Sequence, residues 1–377
     1  MKHIILLVTL IVFGLAAPVY GEDSGNGIME GQIINGTSGG GSVAGITVNL
    51  NISREGTALS TSVAQVDAAG KFVFQGLATG ATYSYDVVAF FRGIDYRSAP
   101  VTISENETSA SVQVMVYEPT GTDAAISVAL AHTIVYPREG AFLIKEYYLF
   151  TNGGDRTYVG PAPGSANGTL LFSLPADAFD LQASIGSLEL ISGNRFADTL
   201  PVRPGMHEVA YSYQLNGSLS GFIFDRRFNY DTVRYDFLVP GDFNMESDQL
   251  AADESLDISG TRFAHLSGGD FPSGASLAVR LSGTAPATDR SALWLALTGA
   301  AILAAAAIVF IFIIRNKRRT PAVAGGSPER LRARLLDEIA ELDDKFEDGS
   351  IKEEYYRKLR DAKKAELVEL TRRQKGG

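Results

Sequence analysis

Cysteine is absent from this chain of 377 residues. The absence excludes a disulfide-stapled secreted scaffold, a thiol enzyme, a zinc site with cysteine ligands and a thiolate-bound iron–sulfur cluster. Any exported part must therefore be stabilised by hydrophobic cores. The 269 residues from 22 to 290 are enough for two domains of ordinary size.

Histidine is also scarce, which limits the metal and catalytic sites that the chain can form. Beyond His3, the histidines are His132, His207 and His265, separated by 75 and 58 residues. None stands in a His-x-His or His-Glu-x-x-His pattern, and no Gly-x-Ser-x-Gly elbow precedes a helix. The acidic segments 253–257 and 268–270 lack the ligand spacing of a calcium loop. We therefore expect no enzyme and assign no catalytic residue, metal or cofactor, although a site assembled in space from distant residues stays open.

Basic residues are few in the first three quarters of the chain. Residues 22–290 carry 15 basic and 30 acidic residues, a net charge of −15, whereas the tail from Arg315 carries 17 and 13, a net charge of +4. An exterior this acidic disfavours nucleic acid and anionic lipid as partners. The contrast in charge indicates a chain divided between two compartments.

A charge-free run of 23 residues, Ala292–Ile314, lies between these two parts. At about 1.5 Å per residue, a helix of this length crosses a hydrocarbon core of roughly 30 Å. The basic cluster Arg315–Arg319 places the following residues in the cytoplasm by the positive-inside rule. We predict a transmembrane helix over 291–314 and a basic stop-transfer segment and linker over 315–327. The alternative is a buried core helix, but such helices seldom run this far without a charge.

The N-terminus fits the same topology. Lys2 precedes an apolar segment, Ile4–Ala17, and Val19–Gly21 supplies the short residues that a signal peptidase reads. We predict a signal peptide over 1–21, with an uncleaved anchor as the alternative. The chain is then a single-pass protein of the cell membrane, with its N-terminal domains outside and its C-terminus in the cytoplasm.

Residues 27–118 have the pattern of short half-buried strands. Apolar residues at 46, 48, 50 and 52 alternate with polar ones, and Phe72 and Phe74 alternate with Lys71, Val73 and Gln75. Glycine-rich turns separate these segments at roughly ten-residue intervals. The pattern predicts a sandwich of two antiparallel sheets.

One segment of this domain, Asp67-Ala-Ala-Gly70-Lys-Phe72-Val-Phe74-Gln-Gly76-Leu77, is more specific. Asp67 is suited to accept backbone N–H bonds in a turn that Gly70 ends at positive φ. Residues 27–117 resemble the carboxypeptidase regulatory-like domains, which are prealbumin-like sandwiches related in shape to starch-binding folds. The resemblance implies an accessory or adhesive module without catalytic activity.

Carbohydrate is a possible ligand of this domain. Tyr83, Tyr85 and Tyr96 are candidates for stacking on sugar rings, with a place in the core or on the sheet surface as the alternative. Asn-x-Ser/Thr sequons at Asn35, Asn106, Asn167 and Asn216 fall in turn-like contexts that suit glycosylation. A fifth sequon, at Asn51, lies in a predicted strand and suits it less.

Residues 119–284 again show strand patterns. The segments 127–131, 142–150 and 207–214 are rich in apolar residues, and Asn152–Asp155 is a turn signal. We predict a second antiparallel β-sandwich domain of seven to nine strands.

The tail reads as a cytoplasmic helical hairpin over 328–372. Ser327 and Pro328 begin the first helix, Asp348-Gly349 ends it, and Ser350 with Glu353 forms a capping box for the second. Each helix carries one apolar stripe, and two such stripes cover each other only partly. We therefore predict a protein partner or self-association through the tail, together with the small residues of the span. The predicted interface comprises Leu335, Ile339, Leu342, Phe346, Tyr355 and Leu359.

The segment from Leu336 to Leu359 resembles the short C-terminal helical modules (SHOCT-like) and the helical tails of some cytochrome c biogenesis proteins. The resemblance implies an interaction or oligomerisation element. A haem site is not assigned, because the chain lacks cysteine and any haem-binding motif.

These features together predict a membrane-anchored surface protein with an all-β exterior, one transmembrane helix and a C-terminal helical hairpin. Its expected function is binding or scaffolding. Two alternatives are a carbohydrate-binding accessory module of the envelope and a maturation or assembly factor for exported cytochromes.

Overall fold

The computed structural model describes residues 25–161, 168–218, 221–258 and 260–283. Within these ranges every regular element is a strand or an isolated bridge, and no helix is present, which confirms the all-β prediction for this part of the chain. The described residues contain no helix long and apolar enough to cross a membrane. The predicted signal peptide, transmembrane span and cytoplasmic hairpin lie outside the described residues.

The first domain is a β-sandwich of seven strands in two sheets, ordered β4-β1-β7 and β3-β2-β5-β6. Its strands are β1 (Gly27–Asn35), β2 (Thr47–Arg54), β3 (Thr57–Gln65), β4 (Lys71–Leu77), β5 (Tyr83–Phe91), β6 (Ile94–Arg97) and β7 (Ser109–Val116). Along β2, Val48, Leu50 and Ile52 are buried while the residues between them are half-buried. This is the predicted alternation, and the buried faces of the two sheets form one core.

The sequence predicts only antiparallel strand pairs in this domain, but one pair is parallel. β1 pairs with β7 in parallel, from Ile28 opposite Ser109 to Asn35 opposite Val116. A parallel pair needs a long crossover, and here the chain between β1 and β7 forms the whole second sheet and strand β4. The first and last strands of the domain therefore lie side by side.

The turn before β4 has the predicted geometry. Asp67 Oδ1 accepts hydrogen bonds from the backbone N–H groups of Ala69 and Lys71, both at 2.8 Å. Gly70 has φ of +80°, and a Cβ atom there would lie 2.7 Å from the carbonyl oxygen of Ile33. Both the backbone conformation and the close approach of β1 require glycine at this position.

Replacement of Gly70 by alanine should cost more stability than the same change at Gly56. Both glycines have positive φ, which strains an L-residue by about 1–3 kcal/mol, but a Cβ at Gly56 would meet no atom within 4 Å. Only Gly70→Ala adds a backbone clash to that strain. Urea denaturation followed by circular dichroism measures both variants, and equal losses of stability would contradict the described turn.

The second domain contains β9 to β23, more strands than the predicted seven to nine, because several are short. They are β9 (Ile126–Arg138), β10 (Ala141–Asn152), β11 (Thr157–Tyr158), β12 (Leu170–Ser173), β13 (Phe179–Ile185), β14 (Leu188–Ser192), β15 (Arg195–Asp198), β16 (Gly205–Asn216), β17 (Phe222–Arg227), β18 (Thr232–Pro240), β19 (Asn244–Glu246), β20 (Ala251–Ala252), β21 (Leu256–Ile258), β22 (Thr261–Phe271) and β23 (Ser276–Ser282).

One large sheet forms the base of this domain, and two small sheets form its second layer. The large sheet has the order β13-β16-β10-β9-β18-β22-β20, with β21 also paired to β22. The two three-stranded sheets, β12-β15-β14 and β17-β23-β19, share with it an aromatic-rich core. The pairing of β9 with β18 is parallel, which again departs from the predicted antiparallel arrangement.

The junction between the two domains is braced by hydrogen bonds. The connecting strand β8 (Pro119–Thr120) pairs in parallel with β11. The Tyr96 hydroxyl donates to the Tyr117 carbonyl at 2.8 Å and lies 2.8 Å from Thr157 Oγ1. Thr37 Oγ1 donates to the Asp155 carbonyl at 2.8 Å. The buried contacts across the junction indicate that the two domains are held together as one body rather than joined by a loose linker.

Candidate functional site

A buried glutamate lies at the centre of the second domain. Glu146 belongs to β10 and faces inward with Ile144 and Tyr148, where it is only 2% exposed. Its carboxylate accepts hydrogen bonds from the hydroxyls of three tyrosines, at 2.6, 2.5 and 2.8 Å; these are Tyr148, Tyr211 and Tyr213. A buried carboxylate needs such donors, because burial removes its hydration.

Arg226 of β17 supplies the opposite charge from the second layer. Its Nη1 forms an ion pair with Glu146 Oε2, and its guanidinium carbon lies 5.0 Å from the ring centre of Tyr148 and 5.9 Å from that of Phe228. The side chain is 6% exposed, yet its Nε has no hydrogen-bond partner among the described residues. The ion pair therefore ties the β17 sheet to the large sheet and leaves one buried donor unused.

The local electrostatics keep both groups charged. Burial alone raises the pKa of Glu146, but the charge of Arg226 and the hydrogen bonds from the tyrosines outweigh it and hold that pKa below its ordinary value. Burial likewise lowers the pKa of Arg226, and the Glu146 carboxylate more than compensates, so the pKa of Arg226 is raised. We name Glu146, Arg226 and the three tyrosines the Glu146 cluster.

A cleft of about 520 Å³ opens above the Glu146 cluster, where the two small sheets of the second layer fail to meet. The segment Ser173–Pro175 lines one side, Phe224–Arg227 lines the other, and Glu146 and Tyr213 are reached between them. The rest of the lining is formed by Asn194, Gln249, Ser276, Leu277 and Ala278. The volume of the cleft is in the range of sites for small ligands or short peptide segments.

A second charged cluster lies on the other face of the large sheet. The buried carboxylate of Asp236 in β18 is 3.2 Å from His132 Nδ1, 3.0 Å from His265 Nε2 and 2.8 Å from Arg234 Nη2. Burial raises the pKa of Asp236, but the hydrogen bonds from these three neighbours lower it by a larger amount. The pKa of Asp236 therefore lies well below its ordinary value. The side chains come from β9, β18 and β22 and fasten three adjacent strands.

The third histidine is also paired with an aspartate. His207 Nε2 lies 2.7 Å from Asp198 Oδ2, and Asp198 is fully buried. Among the described residues no histidine shares a hydrogen bond with a serine or threonine hydroxyl, and no group of acidic and histidine residues there is arranged to hold a metal ion. In the described ranges, the histidines therefore act as partners of buried carboxylates.

The structure places the three candidate sugar-stacking tyrosines in or beside the first core. Tyr85 and Tyr96 are 1% and 2% exposed, and their hydroxyls donate to the carbonyls of Ala78 and Tyr117 at 2.6 and 2.8 Å. Tyr83 is half-buried, with the Arg54 guanidinium 5.6 Å from its ring centre. The ring faces of Tyr85 and Tyr96 are thus occupied by protein, which is the core alternative weighed for them.

The sequons differ in how accessible they are. Asn106 and Asn216 are exposed, whereas Asn35 is half-buried and its Nδ2 donates to the Gly41 carbonyl at 3.0 Å. A glycan on Asn35 would have to displace that hydrogen bond. Asn167 and the predicted tail interface, Leu335, Ile339, Leu342, Phe346, Tyr355 and Leu359, lie outside the described residues, so these assignments stay predictions.

The sequence reasoning missed the Glu146 cluster, although one signal for it was present. Glu146 stands in an otherwise apolar alternation, at the position where Phe142, Ile144, Tyr148 and Phe150 face inward. An acidic residue in the inward register of a core strand has to find a partner. The partner itself, Arg226, is 80 residues away and carries no local sign of its role.

Comparisons with known proteins do not add an identity. No protein-family model matches the chain, and no curated protein matches it at a significant level.

Proposed function

We propose that this chain is a single-pass, membrane-anchored surface protein whose exported β-domains bind and scaffold another molecule. The cleft above the Glu146 cluster is the observation that carries this proposal, and we assign it as the binding site. We further propose that residues 27–117 are a carboxypeptidase regulatory-like module that supports this site. The cytoplasmic hairpin would assemble with a partner or a second copy.

The chemistry of the Glu146 cluster favours binding over catalysis. A general base needs a pKa near the working pH and a lone pair free for the proton that it takes. Glu146 has the opposite properties, because its pKa is lowered and its two oxygens receive three hydroxyl donors and Arg226. Such a group holds a fixed geometry beneath a ligand and does not transfer protons.

The braced junction suits a scaffold. The hydrogen bonds of Tyr96 and Thr37 hold the second domain against the first. A ligand bound in the cleft would then be held at a fixed position relative to both domains. This arrangement supports a role in holding a partner at a defined place on the cell surface.

The absence of cysteine permits a direct test of the proposed topology. Ser104 is exposed in the first domain, and Ser350 lies in the predicted cytoplasmic turn. A membrane-impermeant maleimide added to intact cells is expected to label Ser104→Cys, whereas Ser350→Cys is labelled only after lysis. Labelling of Ser350→Cys in intact cells, with Ser104→Cys protected, would reverse the topology and overturn the surface assignment.

A further inference from the structure

The second layer of the second domain is interrupted where its two sheets face each other. β12 is the outermost strand of one small sheet and β17 is the outermost strand of the other. Residues of both strands line the cleft, and the large sheet continues beneath it. An edge strand of each small sheet therefore borders the cleft.

The register of β17 directs unpaired backbone groups into the cleft. Phe228 N–H donates to the Ala275 carbonyl at 2.9 Å, so Phe224 and Arg226, in the same phase, also bond towards β23. In an antiparallel pair the intervening residues point their N–H and C=O groups the other way. Asp225 and Arg227 are these residues, and both line the cleft.

The register of β12 does the same from the opposite side. Leu174 N–H donates to the Asn194 carbonyl at 2.9 Å, which leaves Leu171 and Ser173 directed away from β15. Leu171 N–H is taken by the Tyr230 hydroxyl at 2.9 Å. The N–H and C=O groups of Ser173 have no partner among the described residues. The edge of β12 is thus occupied at Leu171 and free at Ser173.

We infer that this cleft binds an extended peptide segment of a partner protein, which adds a strand between β12 and β17. Main-chain pairing of this kind uses the alternating donors and acceptors of both edges. At about 3.3 Å per residue, pairing with Ser173 on one side and Asp225 and Arg227 on the other needs about four residues. The inference rests on the proposed binding function of the cleft.

The side-chain lining indicates the chemistry of the peptide. Glu146 and Arg226 neutralise each other, and Asp225 and Arg227 carry opposite charges, so the site has no net charge to select an ion. Asn194, Gln249 and Ser276 line the cleft with uncharged polar side chains, which suit hydroxyl groups of the peptide. Leu174, Pro175 and Leu277 supply apolar contact. A neutral segment of alternating serine or threonine and valine meets these conditions.

The test uses the full-length protein in detergent and fluorescein-labelled neutral heptapeptides in which threonine or serine alternates with valine. Fluorescence anisotropy measures binding to the wild type and to Ser173→Pro, which removes the free N–H of β12. We expect Ser173→Pro to weaken binding about tenfold or more, in line with roughly 1.4 kcal/mol per tenfold. Leu190→Pro is the matched control, because Leu190 is exposed on the far edge strand β14, and it should leave binding within about twofold.

Peptides N-methylated at alternate residues provide a second test that needs no variant. N-methylation removes the main-chain donors while the side chains stay the same, so binding to the wild type should be lost. Amide hydrogen exchange should also slow at Ser173, Asp225 and Arg227 when the unmodified peptide is bound. The inference is overturned if none of the heptapeptides binds, if N-methylated peptides bind equally well, or if Leu190→Pro weakens binding as much as Ser173→Pro. The surface assignment would survive any of these results, because it is tested separately by maleimide labelling.

Discussion

Replacement of Arg226 by alanine is expected to destabilise the second domain by about 3–5 kcal/mol, the usual cost of removing one partner of a buried ion pair. Glu146 would stay buried with three tyrosine donors but without a positive charge. Urea denaturation of the full-length protein in detergent, followed by circular dichroism, measures the loss. The double variant Glu146→Leu with Arg226→Met is the control, and it should recover much of the stability because no unpaired charge remains.

The pH dependence of the same variant gives an independent check. The pKa of Glu146 is lowered in the folded wild type, so its ionisation stabilises the fold above the unfolded-state pKa of about 4.3. This contribution is lost as the pH falls through the folded-state pKa. In the Arg226→Ala variant Glu146 stays buried without the positive charge, so its pKa should rise. Protonation of Glu146 should then remove the cost of burying an unpaired carboxylate. The difference in the free energy of unfolding between wild type and variant should therefore decrease from pH 7 to pH 4. A difference that stays constant would show that the charge of Glu146 does not cause the loss of stability.

Replacement of Phe74 by alanine is expected to destabilise the first domain by about 3–5 kcal/mol. Phe74 is 1% exposed in the core and its ring lies edge-on to that of Phe72, with centroids 5.8 Å apart. The alanine would leave a cavity that the two sheets can close only in part. Phe90→Ala is the control, because Phe90 is 44% exposed on β5, and it should change stability by no more than about 0.5 kcal/mol. Equal losses for the two variants, measured by thermal denaturation, would contradict the described sandwich.

Local sequence patterns were sufficient to predict most strands of the first domain, but not β3, whose residues are largely exposed, or the short β6. Buried and exposed side chains alternate along any strand that has one face towards solvent. Val48, Leu50, Phe72 and Phe74 could therefore be assigned to the core without knowledge of the strands that pair with theirs. The requirement for glycine at Gly70 is likewise local, because it follows from a turn of four residues. No local sequence pattern predicts the parallel pairs, β1 with β7 and β9 with β18. Each pair joins strands that are far apart in the sequence and are connected by a long crossover.

Apart from the inward position of Glu146 in β10, the candidate site could not be predicted from the sequence, because it also depends on contacts between distant strands. The Glu146 cluster is assembled from β10, β16 and β17, and its charges meet only when the second layer packs on the large sheet. The cleft depends on two strands that do not pair, a property that neither strand shows alone. Aromatic rings make Tyr83, Tyr85 and Tyr96 candidates for sugar stacking, but Tyr85 and Tyr96 are core residues with bonded hydroxyls.

The parallel contact between β9 and β18 has a consequence for the order in which the domain is made. Tyr235 reaches Thr133 across 102 residues of chain, so the first half of the domain, residues 126–216, emerges long before the second. That first half contains Glu146 without Arg226 and His132 without Asp236. Each cluster is therefore completed by the later half, and a chain that stops early would carry the Glu146 carboxylate without the arginine that pairs with it. The domain can therefore close only after β17 and β18 have been made, and a prematurely ended copy would stay in an unfolded state that is open to proteolysis.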